Sequence, residues 1–549
     1  MEQNLTNAII ESIRKNRGLP ALSDFRGRTL TYGELATAIA RMHLFLKGTG
    51  VKPGDKVALC ARNSARWAAL FLGAFTYGAT VVPLLNEFHP ASVAELTLHA
   101  EAKILFTEKS IADNLDMDRL APLTGVVEMD ELKPLLDPTG VITAVNEGLD
   151  AAMKKLFPEG VTPEDLEPTV RPMDDVALIN YTSGSTGNSK GVMITYGNLW
   201  SNVSFALRKI PFYVPGDGML SMLPLAHMYG LVFEFLFPFC EGCHITLLGR
   251  IPSPKVVLDA FAEVRPKMVI TVPLVIEKIV KSRVFPELKK QPAKFLLSVP
   301  GLRNIVYSKV RKQLLAAFGG NLKQLILGGA AVGAEVEEFL RKIKFPFTIG
   351  YGMTECAPLV TYEWWESQRP GSCGRLVDGM EWKIDSPDPE HTPGVLYLRG
   401  ANVMKGYFRN PEATAAAIDK EGWLNTGDIV SRDADGYLYI RGRDKNMILS
   451  SSGQNIYPEE IEIVLNNLPF VDESIVVERD RKLVALVHPD YEDARKKGLT
   501  QEQTDASVKA LLPELNHLVP AYARVADIEI HPDGFEHTPK HSIRRFLYK

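Results

Sequence analysis

Five cysteines in 549 residues are too few for a disulfide framework. Cys240 and Cys243 form one CxxC, but no second CxxC and no His pair stands at zinc-finger spacing, so both read as core cysteines. Long unbroken apolar runs are missing as well. The most apolar stretch, Leu220 to Leu248, is interrupted by His227, Glu234, Pro238, Glu241 and His244, too many polar breaks for a membrane span. The opening Met1-Glu2-Gln3-Asn4 has no basic region leading into an apolar run, so no signal peptide is expected. Neither charge sign dominates: 62 Lys and Arg against 66 Asp and Glu leave −4, which gives no reason to expect nucleic acid or an anionic membrane as partner. These absences point to a cytoplasmic globular protein, with peripheral contact to a membrane left open. What is present agrees: 46% hydrophobic and 23% charged residues suit a large core, and the length suits roughly three to four domain-sized units.

One stretch stands out, Tyr181-Thr182-Ser183-Gly184-Ser185-Thr186-Gly187-Asn188-Ser189-Lys190-Gly191-Val192. It follows a short apolar run, Val176 to Ile179, that reads as a buried strand. Residues 183–191 hold three glycines, four hydroxyl side chains and one lysine. Glycines let backbone N–H groups approach an anion, hydroxyls add donors, and the lysine supplies a mobile positive charge for a phosphate. A flexible Ser/Gly linker has a similar composition, but linkers rarely follow a strand and carry one placed lysine. The loop is not a Walker P-loop, because GxxxxGK[ST] begun at Gly184 would need glycine where Ser189 stands.

The rest of the chain reads as α/β. Thr31-x-x-Glu34 caps a helix carrying Leu35, Ile39, Met42 and Leu46; strands 56–60 and 80–84 flank a helix at 65–76; another strand covers 103–106. This βαβ rhythm predicts a mostly parallel sheet flanked by helices. Residues 130–172 are acidic and proline-dotted and read as a surface insertion or linker. A second βα series follows, with strands at 267–272, 323–327 and 345–349. Its last two strands run into Gly328-Gly329-Ala330 and Gly350-Tyr351-Gly352-Met353-Thr354-Glu355, at the edge where open α/β sheets bind ligands. Short strand-like segments between 374 and 441 suggest a small β-barrel. The charged Arg441-Gly442-Arg443-Asp444-Lys445 marks a boundary between a large unit, 1–442, and a small α+β unit, 443–549, with a helix at 458–467, strands at 474–478 and 482–487, and a helix at 502–517.

These residues together resemble the adenylate-forming (AMP-binding) superfamily, and among its members most resemble long-chain fatty acyl-CoA synthetases. Four motifs match in order: the Thr182–Gly191 loop, Gly350 to Glu355, Trp423-Leu424-Asn425-Thr426-Gly427-Asp428, and Gly442-Arg443-Asp444-Lys445 through Gly453 to Pro458-Glu459-Glu460-Ile461-Glu462. The resemblance implies two βαβ-type subdomains plus the barrel, followed by a mobile C-terminal domain. It also implies ATP and CoA as substrates and Mg²⁺ as cofactor. Thr182 to Gly187 and Lys190 would then cradle the β and γ phosphates. Glu355, a hard oxygen ligand, would hold Mg²⁺ together with Thr182, although a helix-capping carboxylate is an alternative. Thr354 would meet the α-phosphate. Tyr351 would stack on adenine near Gly328, Gly329 and Ala330. Asp428 would accept from the ribose hydroxyls beside Arg443. Lys445 would be the hinge, Gly453 would border the CoA channel, and His227 would line the acyl site.

The tail departs from the family pattern. If Ile543-Arg544-Arg545 is aligned with the family's Ile-x-Arg, Ser542 stands where a lysine bridges the carboxylate and α-phosphate. Either Lys540 reaches in, or His541 and the arginines substitute, or adenylation is weak. The expected activity is ATP-dependent adenylation of a medium- or long-chain fatty acid, then transfer to CoA. Transfer to an acyl carrier protein, or a non-catalytic acyl-adenylate sensor, are the alternatives. Phe233 to Phe239 would line an acyl tunnel or form a core helix. Oligomeric state is not encoded in any motif.

Overall fold

Alternating side chains of two short strands divide the interior of the first unit. In Lys56–Cys60 and Thr80–Leu84, Val57, Leu59 and Val81 face one core, while Ala58, Cys60, Val82 and Leu84 face another. Both faces are covered, so these strands carry continuous apolar runs instead of alternating polar and apolar residues. The computed structural model describes residues 3–183, 189–249, 253–299, 302–449, 455–479, 482–538 and 543–548. Helix Tyr32–Gly48 starts at the expected capping box: Thr31 N donates to Glu34 Oε2 at 2.8 Å, and Glu34 N donates to Thr31 Oγ1 at 3.1 Å. Helix Ala65–Tyr77 packs against it and stacks Trp67, Phe71 and Phe75 at i, i+4 spacing, with ring centroids 5.5 and 5.8 Å apart.

The sheet between these cores has eight strands in the order Gly406–Tyr407, Ser189–Thr195, Val176–Ser183, Thr80–Leu84, Lys56–Cys60, Ala102–Thr107, Gly125–Glu128, Pro134–Leu136. The central pairings are parallel and the outer ones antiparallel. The last strand and helix Val141–Leu156 fall inside residues 130–172, so that stretch is folded onto the sheet edge and is not a linker. Ile142, Val145, Leu149 and Met153 recur at helical spacing, and Ile142 and Leu149 are buried in the main core.

Two further sheets, Gly218–Ser221, His244–Leu247, Pro20–Asp24, Thr29–Thr31 and the parallel Met268–Thr271, Gln324–Leu327, Phe347–Ile349, make up the second βα unit. Over the expected barrel, 374–441, the structure shows antiparallel strands in two linked sheets. Strands Met380–Asp385, Gly394–Gly400, Leu424–Arg432 and Leu438–Arg443 form an antiparallel sheet that meets a second one at an Arg375–Tyr437 bridge. Among the described residues no ladder closes the ring. The intervening strand Gly406–Tyr407 leaves to pair with Val192 and Met193 of the eight-stranded sheet.

Strand Leu438–Arg443 runs through the expected boundary after residue 442, so Arg443 belongs structurally with the large unit. The small unit then packs helices Pro458–Leu465, Gln501–Lys509 and Leu512–Leu518 with strands Val471–Arg479, Lys482–Pro489 and Asp527–Ile530. The single helix expected over 502–517 is two. Pro513 has no N–H to donate, and its ring would clash with the carbonyl four residues earlier in a continuous helix. No described helix is long and apolar enough to cross a membrane.

Candidate active site

Three loops leave two sheets. The first caps a β-hairpin: Val176–Ser183 and Ser189–Thr195 pair antiparallel, with Thr182 opposite Lys190 and Ser183 opposite Ser189. The register brings Thr182 and Lys190 side by side at the loop's base; Gly184, Ser185, Thr186 and Gly187 lie outside the described residues. Lys190 Nζ sits 4.9 Å above the centroid of the Tyr407 ring, a cation–π geometry. The Tyr407 hydroxyl donates to Glu355 Oε1 at 3.0 Å. The strand Gly406–Tyr407 thus joins the phosphate-loop lysine to the acid of the Gly350–Glu355 turn. Below the loop, the Tyr181 hydroxyl lies 2.6 Å from His99 Nδ1.

The second and third loops leave neighbouring parallel strands. Gly328 N donates to Thr271 O at 3.2 Å, and Gly350 N to Leu327 O at 2.9 Å, tying both turns to the sheet. Gly328 is buried; Gly329 and Ala330 are exposed, and Gly329 adopts φ +83°. A Cβ on Gly352 would stand 2.3 Å from Pro358 O, so the turn closes only with glycine there. Met353 N donates to Pro358 O at 2.8 Å. Thr354 is buried and Glu355 half-buried. By accepting from Tyr407, the Glu355 carboxylate is tied to the strand Gly406–Tyr407. Asn202 fixes this turn by accepting from Leu359 N at 3.0 Å and donating to Cys356 O at 3.2 Å.

Asp428 is 3% exposed. The Tyr351 hydroxyl donates to its Oδ2, and Arg443 Nε lies 2.8 Å from its Oδ1. Antiparallel pairing sets Asp428 directly opposite Arg443. Burial pushes the Asp428 carboxyl above the ordinary carboxylate range, while Arg443 and the Tyr351 hydrogen bond pull it back. Three sequence motifs thereby meet at one carboxylate. Lys445 follows in a short turn, Asp444–Asn446, braced by Asn446 Nδ2 donating to Glu459 Oε1 at 2.6 Å.

His227 ends the turn that leads into helix Met228–Gly230 and a π-helical stretch, Leu231–Leu236. π-Helical turns concentrate at functional sites. The Tyr229 hydroxyl from this motif would stand 3.0 Å from a Cβ on Gly328, so the motif abuts the Gly328 turn. Sequence reasoning missed what holds it. Asn63 accepts from Leu225 N at 2.9 Å and donates to Leu223 O at 2.7 Å. Asn180 donates to Ala226 O at 2.8 Å. Glu234 Oε2 accepts from Ser221 Oγ, Met222 N and Leu223 N at 3.1, 2.9 and 2.8 Å. Only Glu234 left a trace in the sequence, as a lone acid in an apolar run. Phe235, Phe237 and Phe239 are core residues, each fully buried; Phe233 alone in this run approaches Tyr229, at 6.3 Å between ring centroids.

Among the described residues no three His, Cys, Asp or Glu side chains cluster into a metal cage. Glu355 offers one half-buried carboxylate, linked to Lys190 through Tyr407, a donor suited to a hard cation that keeps phosphate and water ligands. Gly453, Lys540, His541 and Ser542 lie outside the described residues. Just beyond them, Arg545 NH1 donates to Glu462 Oε1 at 2.6 Å and to Val476 O at 3.1 Å, anchoring the terminal segment to the helix Pro458–Leu465.

Comparison with known proteins adds to this geometry. A family model described as AMP-binding enzyme matches residues 10–408, and one described as AMP-binding enzyme C-terminal domain matches 445–548. The chain is 28% identical to long-chain-fatty-acid–CoA ligase 1 of Homo sapiens over 549 residues, 90% of this chain and 76% of that protein. It is 26% identical to the chloroplastic long-chain-fatty-acid–[acyl-carrier-protein] ligase AEE15 of Arabidopsis thaliana, covering 88% and 75%. Among solved structures, ATP-bound MatB from Rhodopseudomonas palustris superposes with a TM-score of 0.77 at 25% identity, covering 99% and 98%.

Proposed function

Since the chain belongs to the AMP-binding enzyme family, whose two models together match most of its length, we propose that it activates a medium- or long-chain fatty acid with ATP and passes the acyl group to CoA. In the first half-reaction a carboxylate oxygen attacks the α-phosphorus and pyrophosphate leaves, giving an acyl-adenylate. In the second the CoA thiol attacks the acyl carbonyl, loses its proton, and AMP leaves. The observation that carries the reading is the meeting of Tyr351, Asp428 and Arg443 at one buried carboxylate, with Lys190, Tyr407 and Glu355 forming a second linked group.

Lys190 and Thr182 face the triphosphate and neutralise it from the hairpin base. Asp428 keeps lone pairs free for the ribose hydroxyls after accepting from Tyr351 and Arg443, since a carboxylate has about four acceptor sites. Glu355 would hold a magnesium ion with help from the Thr182 hydroxyl; such an ion, when bound, neutralises charge between phosphate oxygens. Thr354 would donate to the α-phosphate. Lys540 would supply the charge that Ser542 cannot. The fatty-acid assignment is supported by relatives named for long-chain acids.

Carboxylate-dependent ATP–pyrophosphate exchange tests the reading. With Mg²⁺ and acids from acetate to oleate plus benzoate, exchange is expected with the longer acids, followed by thioester formation on adding CoA. Thioester on a carrier protein's phosphopantetheine and not on free CoA would reassign the acceptor. Folded, ATP-binding protein that exchanges with no acid would overturn the ligase reading. Lys540→Ala is expected to abolish exchange; unchanged exchange would sink that residue's role.

A further inference from the structure

The overall balance of −4 conceals a local asymmetry. Residues 281–312 carry nine Lys and Arg against one Glu, a net +8, so the rest of the chain carries −12. This segment forms helices Phe285–Lys289 and Ala293–Ser298 and the first part of helix Leu302–Ala317. Their inner face is accounted for: Leu288, Leu296, Leu297, Val306, Val310 and Leu314 pack into the core of the second βα unit. The outer face carries apolar side chains too. Phe295 is 62% exposed and Ile305 64%, among the most exposed large apolar residues described. In the same segment Lys289, Lys294, Arg303, Lys309 and Lys312 are exposed too. Among the described residues the ion pair within this segment is Lys290 with Glu287, at 2.5 Å. An ordinary solvated helix face does not combine projecting Phe and Ile side chains with largely uncompensated cations.

We propose that this face docks on an anionic lipid bilayer, Phe295 and Ile305 inserting below the headgroups while the segment's exposed cations lie at the level of the lipid phosphates. Apolar anchors flanked by basic residues are what an interfacial helix needs. Six of the nine cations are lysines, compact point charges that suit a diffuse negative surface; recognition of single phosphates or carboxylates favours the fork of arginine. Nucleic acid would use the charge but leave the Ile305 side chain in water. An acidic protein would need a groove of its own for each of the two apolar side chains, whereas a bilayer accepts them singly. The inference rests on charge and exposure and is independent of the acyl substrate.

Co-sedimentation of the full-length protein with vesicles tests it. Binding is expected to vesicles containing about 30% phosphatidylglycerol, at least tenfold weaker to phosphatidylcholine alone, and lost near 0.5 M salt. Lys289→Glu, Lys294→Glu, Lys309→Glu and Lys312→Glu together should lower binding more than tenfold. Phe295→Ser with Ile305→Ser should lower it while leaving its salt dependence in place. Both variants should keep wild-type circular dichroism and ATP affinity; if charge reversal unfolds the protein, the same four positions changed to Gln give the readout. Equal binding to neutral vesicles, no binding to anionic ones, or variants that bind like wild type would each overturn the proposal. So would a reversal variant that loses an acidic protein or DNA but keeps the vesicles.

Discussion

Glu234 is fully buried, and desolvation pushes its carboxyl up to about 8 against three hydrogen bonds that pull the other way. The carboxyl is therefore mostly protonated in the fold at neutral pH but ionised in the unfolded chain. Because the folded-state value is the higher one, stability is greatest below about pH 4.5 and is lost as pH rises towards about 8. Scaled at 1.36 kcal/mol per unit, the loss is on the order of 5 kcal/mol. Glu234→Gln keeps an acceptor for Ser221, Met222 and Leu223 and removes the titration. Denaturant unfolding of this variant should differ little from wild type at about pH 4.5 and be several kcal/mol more stable at about pH 8.5. Parallel curves at both values would show that Glu234 does not titrate. Tyr407 makes a second test at this scale. Tyr407→Phe keeps the ring under Lys190 and removes the donor to Glu355. A hydrogen bond to a charged group is worth about 1.5–3 kcal/mol, so the Mg²⁺ dependence of ATP binding by calorimetry should shift to about tenfold higher concentration. An unshifted dependence would detach Tyr407 from Glu355.

At the scale of elements, the turn Gly350–Glu355 has little freedom. Gly352→Ala would force its Cβ within 2.3 Å of Pro358 O, a backbone atom that cannot swing aside. ATP binding should fall at least tenfold while helix content stays at the wild-type level by circular dichroism; wild-type binding would mean the turn opens freely. This tight turn is also where sequence legibility was best, because glycine spacing reports backbone constraint directly. Strands Lys56–Cys60 and Thr80–Leu84 were equally legible, since apolar runs of five bounded by polar or turn residues leave few other readings. Elsewhere the signal failed for physical reasons. The break at Pro513 was hidden by amphipathic residues on both sides of it. The two-residue strand Gly406–Tyr407 is too short to show a period, so its departure to the large sheet could not be read. Asn63, Asn180 and Tyr407 act on partners up to 162, 46 and 52 positions away, and no local pattern encodes such pairs.

At the scale of the whole molecule, the small unit touches the rest on both sides of its first helix. Near the N-terminal end of helix Pro458–Leu465, Arg441 of the large unit stands 3.8 Å from Glu460 Oε1. Beyond the helix's C-terminus, Asn467 Oδ1 accepts from Lys281 Nζ at 2.9 Å, and a Cβ on Gly333 would stand 2.5 Å from that same oxygen. Gly333 N donates to Glu277 Oε1 at 2.6 Å, so this second contact reaches the loop that follows the Gly328 turn. Contacts of this kind, an exposed ion pair and a single polar hydrogen bond, are worth only about 1 kcal/mol apiece and suit a unit that changes pose. Lys281→Ala should therefore loosen the small unit without unfolding it. Trypsin cleavage after Arg443 or Lys445 should speed up severalfold, with thermal unfolding shifted by no more than a few degrees. Asn467→Ala should act in the same way, and the double change should add little beyond either alone, because both remove one bond. Additive effects would mean that the two side chains hold the small unit through different partners. Unchanged cleavage in both would place the restraint at the other end of the helix, at Arg441 and Glu460.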